Sequence, residues 1–224
     1  IPKKPTDFDT NSGFQDQFQL QPRWSVCPSE FPGSGTLTLT SGTLKISGTM
    51  GQPGILVFPD GTEETLGGKF NVEVDAPGDY ELPMGTMNKL SFNNSKNAVF
   101  TFSDDFFTSN INNLNRAFFN CRQFNGNISN WDVSNVTNMR EMFYNAYLFD
   151  GDISEWKPSK TTDMGFMFKE AQIFNSDLTY WDTSALVEAG GMFLQASLFN
   201  GDMSAWDTSN LSNASNMFEY AFEF

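Results

Sequence analysis

Residues 124–147 read FNGNISNWDVSNVTNMREMFYNAY, and the same phrase returns three more times, each time 25 residues further on. Phe124, Phe149, Phe174, Phe199 and Phe224 mark the period. Trp131, Trp156, Trp181 and Trp206 keep it, as do Met142, Met167, Met192 and Met217, each followed by Phe, and then Ala146, Ala171, Ala196 and Ala221. No insertion interrupts the count. A fixed period of about 20 to 50 residues is the mark of a solenoid, in which each repeat is one coil that buries its apolar face only against its neighbours.

Within one period, Asn127-Ile128-Ser129-Asn130-Trp131 alternates polar and apolar residues, which predicts a short strand. After it, Met139, Met142, Phe143 and Ala146 stand at i, i+3, i+4 and i+7, the stripe of a short helix, with Ser134 or Thr137 placed to cap it. The fold class expected is therefore an α/β solenoid, leucine-rich-repeat-like, with one short strand and one short helix per 25-residue coil. Gly190-Gly191 in the third repeat would weaken its helix.

The phrase F-N-x-D-I-S-x-W-D-T-S-N-V-T-x-M-x-x-M-F-x-x-A resembles the 25-residue repeat of the BspA-like class of surface proteins, carried almost whole by Phe124 to Tyr147. The departures are local, Lys157-Pro158 in the second repeat and Glu188 to Gly191 in the third. The resemblance implies an extracellular or surface-anchored solenoid with an adhesive or structural role, and it transfers no catalytic residue.

Outward from the repeats, a degenerate copy precedes them: Phe106 falls in the Trp slot, Leu114 in that of Met139, Phe118 in that of Phe143 and Cys121 in that of Ala146. The expected divisions are an extended arm over 1–34, an all-β domain or solenoid cap over 35–98, and a solenoid over 99–224. The solenoid divides into 99–123, 124–148, 149–173, 174–198 and 199–223. Period-two runs at 36–40, 43–47, 55–58, 69–74, 79–82 and 89–92 predict six strands, separated by turn-forming Gly, Pro and Asp. The arm carries five prolines among Phe8, Phe14 and Phe18; its aromatics lie either on their own domain or on a neighbouring subunit.

At the other side the sequence stops on Phe224, the first residue of a further coil, with no polar terminal repeat. Either the array is cut from a longer one, or another molecule covers Trp206, Met217, Phe218 and Phe224. Head-to-tail stacking there would give a filament.

The formal net charge is −14, and residues 124–224 hold 14 acidic against 4 basic side chains. That argues against a nucleic-acid partner, whose phosphates need a basic surface. No apolar run reaches the ~18 residues of a membrane span. With no His in the chain, the commonest general base and zinc ligand are missing, and no phosphate-cradling Gly motif appears, so the chain reads as non-enzymatic with no cofactor.

Asn-x-Ser/Thr occurs at Asn93, Asn127, Asn135, Asn210 and Asn213, which are glycosylation candidates in a secretory setting. Cys27 and Cys121 are either buried thiols or a disulfide tying the arm to the first coil. A ladder of Asn and Asp precedes each strand position, and its Asp150, Asp152, Asp177 and Asp202 are weak calcium candidates. The competing reading is that each of these side chains hydrogen-bonds its own turn. The Trp column is either an exposed ladder for sugars or partner chains, or core.

The function expected is that of an extracellular structural protein: a self-assembling, glycosylated fibril or surface-layer subunit. The alternative is an adhesion module recognising a protein or glycan through the solenoid face.

Overall fold

The structure is a computed structural model that describes residues 35–106 and 108–224. The arm over 1–34, with the candidate residues Phe8, Phe14, Phe18 and Cys27, lies outside the described residues.

Alternation of Thr and Leu makes the first strand: in β1 (Gly35–Ser41) Leu37 and Leu39 are buried while the threonines between them face outward. It is followed by β2 (Leu44–Met50), β3 (Gly54–Val57), β4 (Glu63–Leu66), β5 (Lys69–Val74), β6 (Gly78–Leu82), a single 3-10 turn at Met84–Thr86, β7 (Met87–Ser91) and β8 (Val99–Phe102). The strands form two antiparallel sheets, ordered β4-β3-β6-β1-β8 and β5-β2-β7. Gly42 joins β1 to β2 with φ at +84°, and a Cβ there would lie 2.3 Å from the Asn97 carbonyl oxygen. The six period-two runs fall on β1, β2, β3, β5, β6 and β7. Sequence reading missed β4, an edge strand with three exposed residues in four, and β8, which pairs with β1 although the 25-residue register starts there.

From Thr108 onward the chain is a stack of 25-residue coils that contains no helix and no regular strand. The expectation of an α/β solenoid with a strand and a helix per coil is overturned. Asn127–Trp131 is a turn, closed by the Trp131 N–H on the Ile128 carbonyl. The one extended contact between coils lies further on, as a column of parallel bridges Lys89, Asn113, Asn138, Asp163, Glu188 and Asn213.

The stripe read as helical is buried as expected, since Met139, Met142, Phe143 and Ala146 are all fully enclosed. Its backbone is a chain of turns. The N–H groups of Met142, Tyr144 and Ala146 donate three residues back, to Met139, Glu141 and Phe143. Those of Met139, Glu141, Phe143 and Asn145 donate to the next coil, at Asp163, Gly165, Met167 and Lys169, over 2.8–2.9 Å. Glu141 and Asn145 have φ of +56° and +59°, the left-handed angle of the third residue in a type II turn. Half the donors that a helix would use internally are thus spent between coils. Every coil repeats this, with left-handed residues also at Arg116, Asn120, Phe166, Glu170, Gly191, Gln195, Asn216 and Tyr220. Spacing i, i+3, i+4, i+7 suits a turn chain as well as a helix, so periodicity alone did not separate them.

The caps fail with the helix. The Thr137 hydroxyl donates to the Asn112 carbonyl of the coil before, and the Ser134 N–H is taken by Asp132. Gly191 weakens nothing: a Cβ on it would sit 2.4 Å from the Phe166 ring.

The sheets end in the stack without a linker. Phe92, just after β7, donates its N–H to the Ala117 carbonyl and lays its ring on Phe118 at 5.6 Å. Phe100 packs on Phe124, Phe102 on Trp131, and Phe106 is stacked on Trp131 at 5.7 Å. A cluster of phenylalanines from the second half of the β region thereby covers the first coil. Among the described residues no helix is long and apolar enough to cross a membrane.

Candidate ligand-facing columns of the coil stack

Equivalent positions of successive coils stand in columns, so each slot of the phrase has one environment. Three columns are core. Phe118, Phe143, Phe168, Phe193 and Phe218 stack at 5.3–5.6 Å with their planes within 7° of parallel. Phe124, Phe149, Phe174, Phe199 and Phe224 stack at 5.7–5.9 Å beside them. Trp131, Trp156 and Trp181 are buried, and Trp156, Trp181 and Trp206 each donate the indole N–H to a carbonyl 28 residues back, at Ile128, Ile153 and Leu178. The tryptophans are therefore core rather than an exposed ladder. Trp206, Met217, Phe218 and Phe224, read as assembly candidates, are the members of these columns in the last coil. Met217 is buried, Trp206 and Phe218 are half-buried and Phe224 is exposed.

The acidic ladder is committed to its own turns. Asp152, Asp177 and Asp202 each accept the N–H two residues on, at 2.8–3.0 Å, and Asp177 also takes the Thr179 hydroxyl. Asp150 accepts the N–H of Asn175 in the next coil. Asn127 closes the same turn as the aspartates do, without a charge. Such turn bonds hold the carboxyls of Asp152, Asp177, Asp182, Asp202 and Asp207 below the usual range. The N–H of Ser154, Ser204 and Ser209 is the main cause for Asp152, Asp202 and Asp207, and the hydroxyls of Thr179 and Ser184 for Asp177 and Asp182. Among the described residues no three acidic, His or Cys side chains converge as a metal site.

The five Asn-x-Ser/Thr asparagines differ in what their side chains do. Asn135 and Asn210 donate Nδ2 to carbonyls of the preceding coil, Ser109 and Ser184, at 2.9 and 2.7 Å. Asn213 donates to Glu188, and half-buried Asn93 to the Ser91 hydroxyl. Exposed Asn127 uses only Oδ1, leaving its Nδ2 without a partner among the described residues. It alone of the five offers an uncommitted amide nitrogen.

Cys121 is fully buried in the Ala slot, its thiol donating to the Phe92 carbonyl at 3.0 Å. Burial pushes that thiol up to about 12. Pairing with Cys27 falls outside the described residues.

Sequence reasoning missed two columns in which the repeats disagree. Asn120, Asn145, Glu170, Gln195 and Tyr220 form one, and Arg122, Tyr147, Gln172, Ser197 and Phe222 the other. The signal was available: aligning the repeats leaves these slots with a different residue in almost every coil, beside neighbours that never change. Their later members, Tyr147, Glu170, Gln172, Gln195, Ser197, Tyr220 and Phe222, line an open groove of about 480 Å³.

Residues 86–193 and 162–224, together more than half of the chain, match the family described as Mycoplasma protein of unknown function, DUF285. The chain belongs to this family. The match begins at residue 86, next to β7, where the column of parallel bridges also begins. No curated protein and no solved structure matches the chain.

Proposed function

We propose that the chain is a non-enzymatic structural element of an exported or cell-surface protein, a stiff spacer of stacked coils of the BspA-like kind. One observation carries this reading: the bridge column from Lys89 to Asn213 runs through every coil without a break. Each coil adds the same backbone bonds and the same ring stacks as the last, so length grows with repeat number while every interface stays alike. The repeated aspartates Asp177 and Asp202 are tied into turns whose bonds favour the ionised form, which leaves them poor proton donors. Acidic columns keep such a surface solvated.

The test is mechanical. Pulled from its two ends by single-molecule force spectroscopy, the stack should yield in equal steps, each releasing one 25-residue coil, about 85 Å of extended chain. Release of the whole stack at negligible force would contradict a load-bearing spacer.

A second reading, recognition of a protein or glycan by the coil face, is favoured by the two variable columns, because a purely repetitive spacer has no use for single-copy residues on one side.

A further inference from the structure

The groove formed by the variable columns has chemistry of its own. Tyr147 stands at one side, and Tyr220 and Phe222 stand three coils away, with ring centroids 6.2 Å apart and 56% and 75% exposed. Between them lie Glu170, Gln172, Gln195 and Ser197. The backbone fixes these positions. Glu170, Gln195 and Tyr220 are left-handed turn residues with φ of +59° to +61°, and Leu148 and Leu198 donate their N–H groups to the carbonyls of Arg122 and Gln172 in the coil before.

Elsewhere on the stack, polar side chains are used up on neighbouring coils, as Asn120 is by Asn94 and Asn145. Here the pattern changes. Among the described residues the side chains of Gln172, Gln195 and Ser197 have no hydrogen-bond partner, and Glu170 has one long bond from the Tyr144 hydroxyl at 3.4 Å and an ion pair with Lys169 at 3.8 Å. Two planar amides, a hydroxyl and a carboxylate thus face a common space with donor and acceptor capacity unspent.

We propose that this groove binds a neutral, linear oligosaccharide, its ring faces resting on Tyr147 at one end and on Tyr220 and Phe222 at the other, its hydroxyls bonded by Gln172, Gln195 and Glu170. The reasons are chemical. Sugar hydroxyls both donate and accept, which suits amides and a carboxylate side by side. Aromatic faces carry negative charge density and attract the slightly positive C–H face of a sugar ring. The aromatic walls are three coil spacings apart, about 14 Å, which suits several rings in a row rather than one. No basic side chain lines the groove, so an anion finds no counter-charge; Arg122 lies over the Tyr147 ring at 5.1 Å and steadies that wall. A volume of about 480 Å³ is within the range of small-ligand sites, and its openness fits a chain that runs through.

This inference rests on the recognition reading and not on the spacer reading. The full chain is titrated with linear tetrasaccharides of glucose, mannose and N-acetylglucosamine, following the side-chain amide signals of Gln172 and Gln195 by NMR. At least one sugar should shift both, with a Kd on the order of 0.1–1 mM. Tyr147→Ala and Tyr220→Ala should each weaken it about tenfold, one decade in Kd; exposed Tyr220 should leave the melting temperature unchanged, and because Tyr147 is half-buried under Arg122 its variant is first shown to be folded by thermal melting. Tyr180→Ala, exposed elsewhere on the stack, should leave binding intact. Absence of shifts with all three sugars up to about 10 mM, or binding indifferent to Tyr147→Ala, overturns the sugar site. Adherence of the chain to whole cells is measured alongside: adherence lost in Tyr147→Ala without sugar binding leaves recognition standing and removes the sugar, whereas neither shifts nor adherence removes both.

Discussion

The β region and the coil stack satisfy the same backbone groups by opposite routes. In the sheets a strand finds its partners at unequal distances along the chain: β1 lies between β6 and β8, setting Leu37 opposite both Tyr80 and Phe102. In the stack the partner is always one coil away. The sheets therefore close only when distant segments meet, whereas the stack is a one-dimensional series in which each coil feels its two neighbours. One consequence is that a defect in the stack should stay local, while a defect in the sheets should spread. Another is that the stack stays uniform in its core and can vary other columns coil by coil, and its groove-forming residues sit in such columns.

The largest expected effect comes from removing a ring in mid-stack. Phe168 lies between Phe143 and Phe193 at 5.4 Å and against Phe174 at 4.0 Å, fully buried. Phe168→Ala should cost about 3–5 kcal/mol in urea unfolding. Amide exchange should accelerate over 149–198 and stay slow in β1 and β2. Equal loss of protection in the sheets would erase the contrast between the regions.

Next comes a substitution whose sign separates turn from helix. In a helix, Gly191→Ala would stabilise by about 1 kcal/mol. Here the left-handed φ of +61° and the Phe166 ring 2.4 Å from the new Cβ make it destabilising, by about 2 kcal/mol. Adding Phe166→Ala should return the part due to the collision, as a double-mutant cycle in chemical denaturation would measure.

A smaller effect divides the regions by pH. Asp152, Asp177, Asp182, Asp202 and Asp207 in the stack, against Asp60 among the described sheet residues, have folded-state pKa values below their unfolded ones. Their contribution is present above the unfolded value of about 3.9 and is lost as pH falls through the folded values. Acid should therefore loosen the stack before the sheets. Asp177→Asn, which keeps the turn as Asn127 does, should flatten the acid limb of an unfolding-midpoint profile at little cost at neutral pH. The smallest expected effect is none: chelator should leave the melting temperature where it was, because Oδ1 of Asp177 and of Asp202 is spent on its own turn and no three acidic side chains converge among the described residues.

Much of this architecture was legible in the residues, and what was not has a physical cause. The 25-residue period gave the columns, the register of the degenerate coil and the buried stripe, because burial of Phe, Met and Trp depends on spacing alone. Helix or turn chain depends on where the N–H groups go, and no side-chain pattern records that when Met139 and Phe143 point inward in either case. A weak signal was present in Asn145, Asn120 and Gly191 at left-handed positions, residue types that tolerate φ above zero, but Phe166 and Tyr220 at equivalent slots hid it. The aspartate turns were readable from Asp-x-Ser/Thr. The groove's slots were marked by their variation between aligned repeats, but that they form one groove appears only when the coils are stacked side by side.

The measurement that most directly tests the turn-built coil is backbone NMR of residues 139–146 in the full chain. Left-handed carbon shifts at Glu141 and Asn145, with slow exchange at Met139, Glu141, Phe143 and Asn145 through their bonds to the next coil, are the result expected. An uninterrupted run of right-handed helical shifts from Met139 to Ala146 would contradict it.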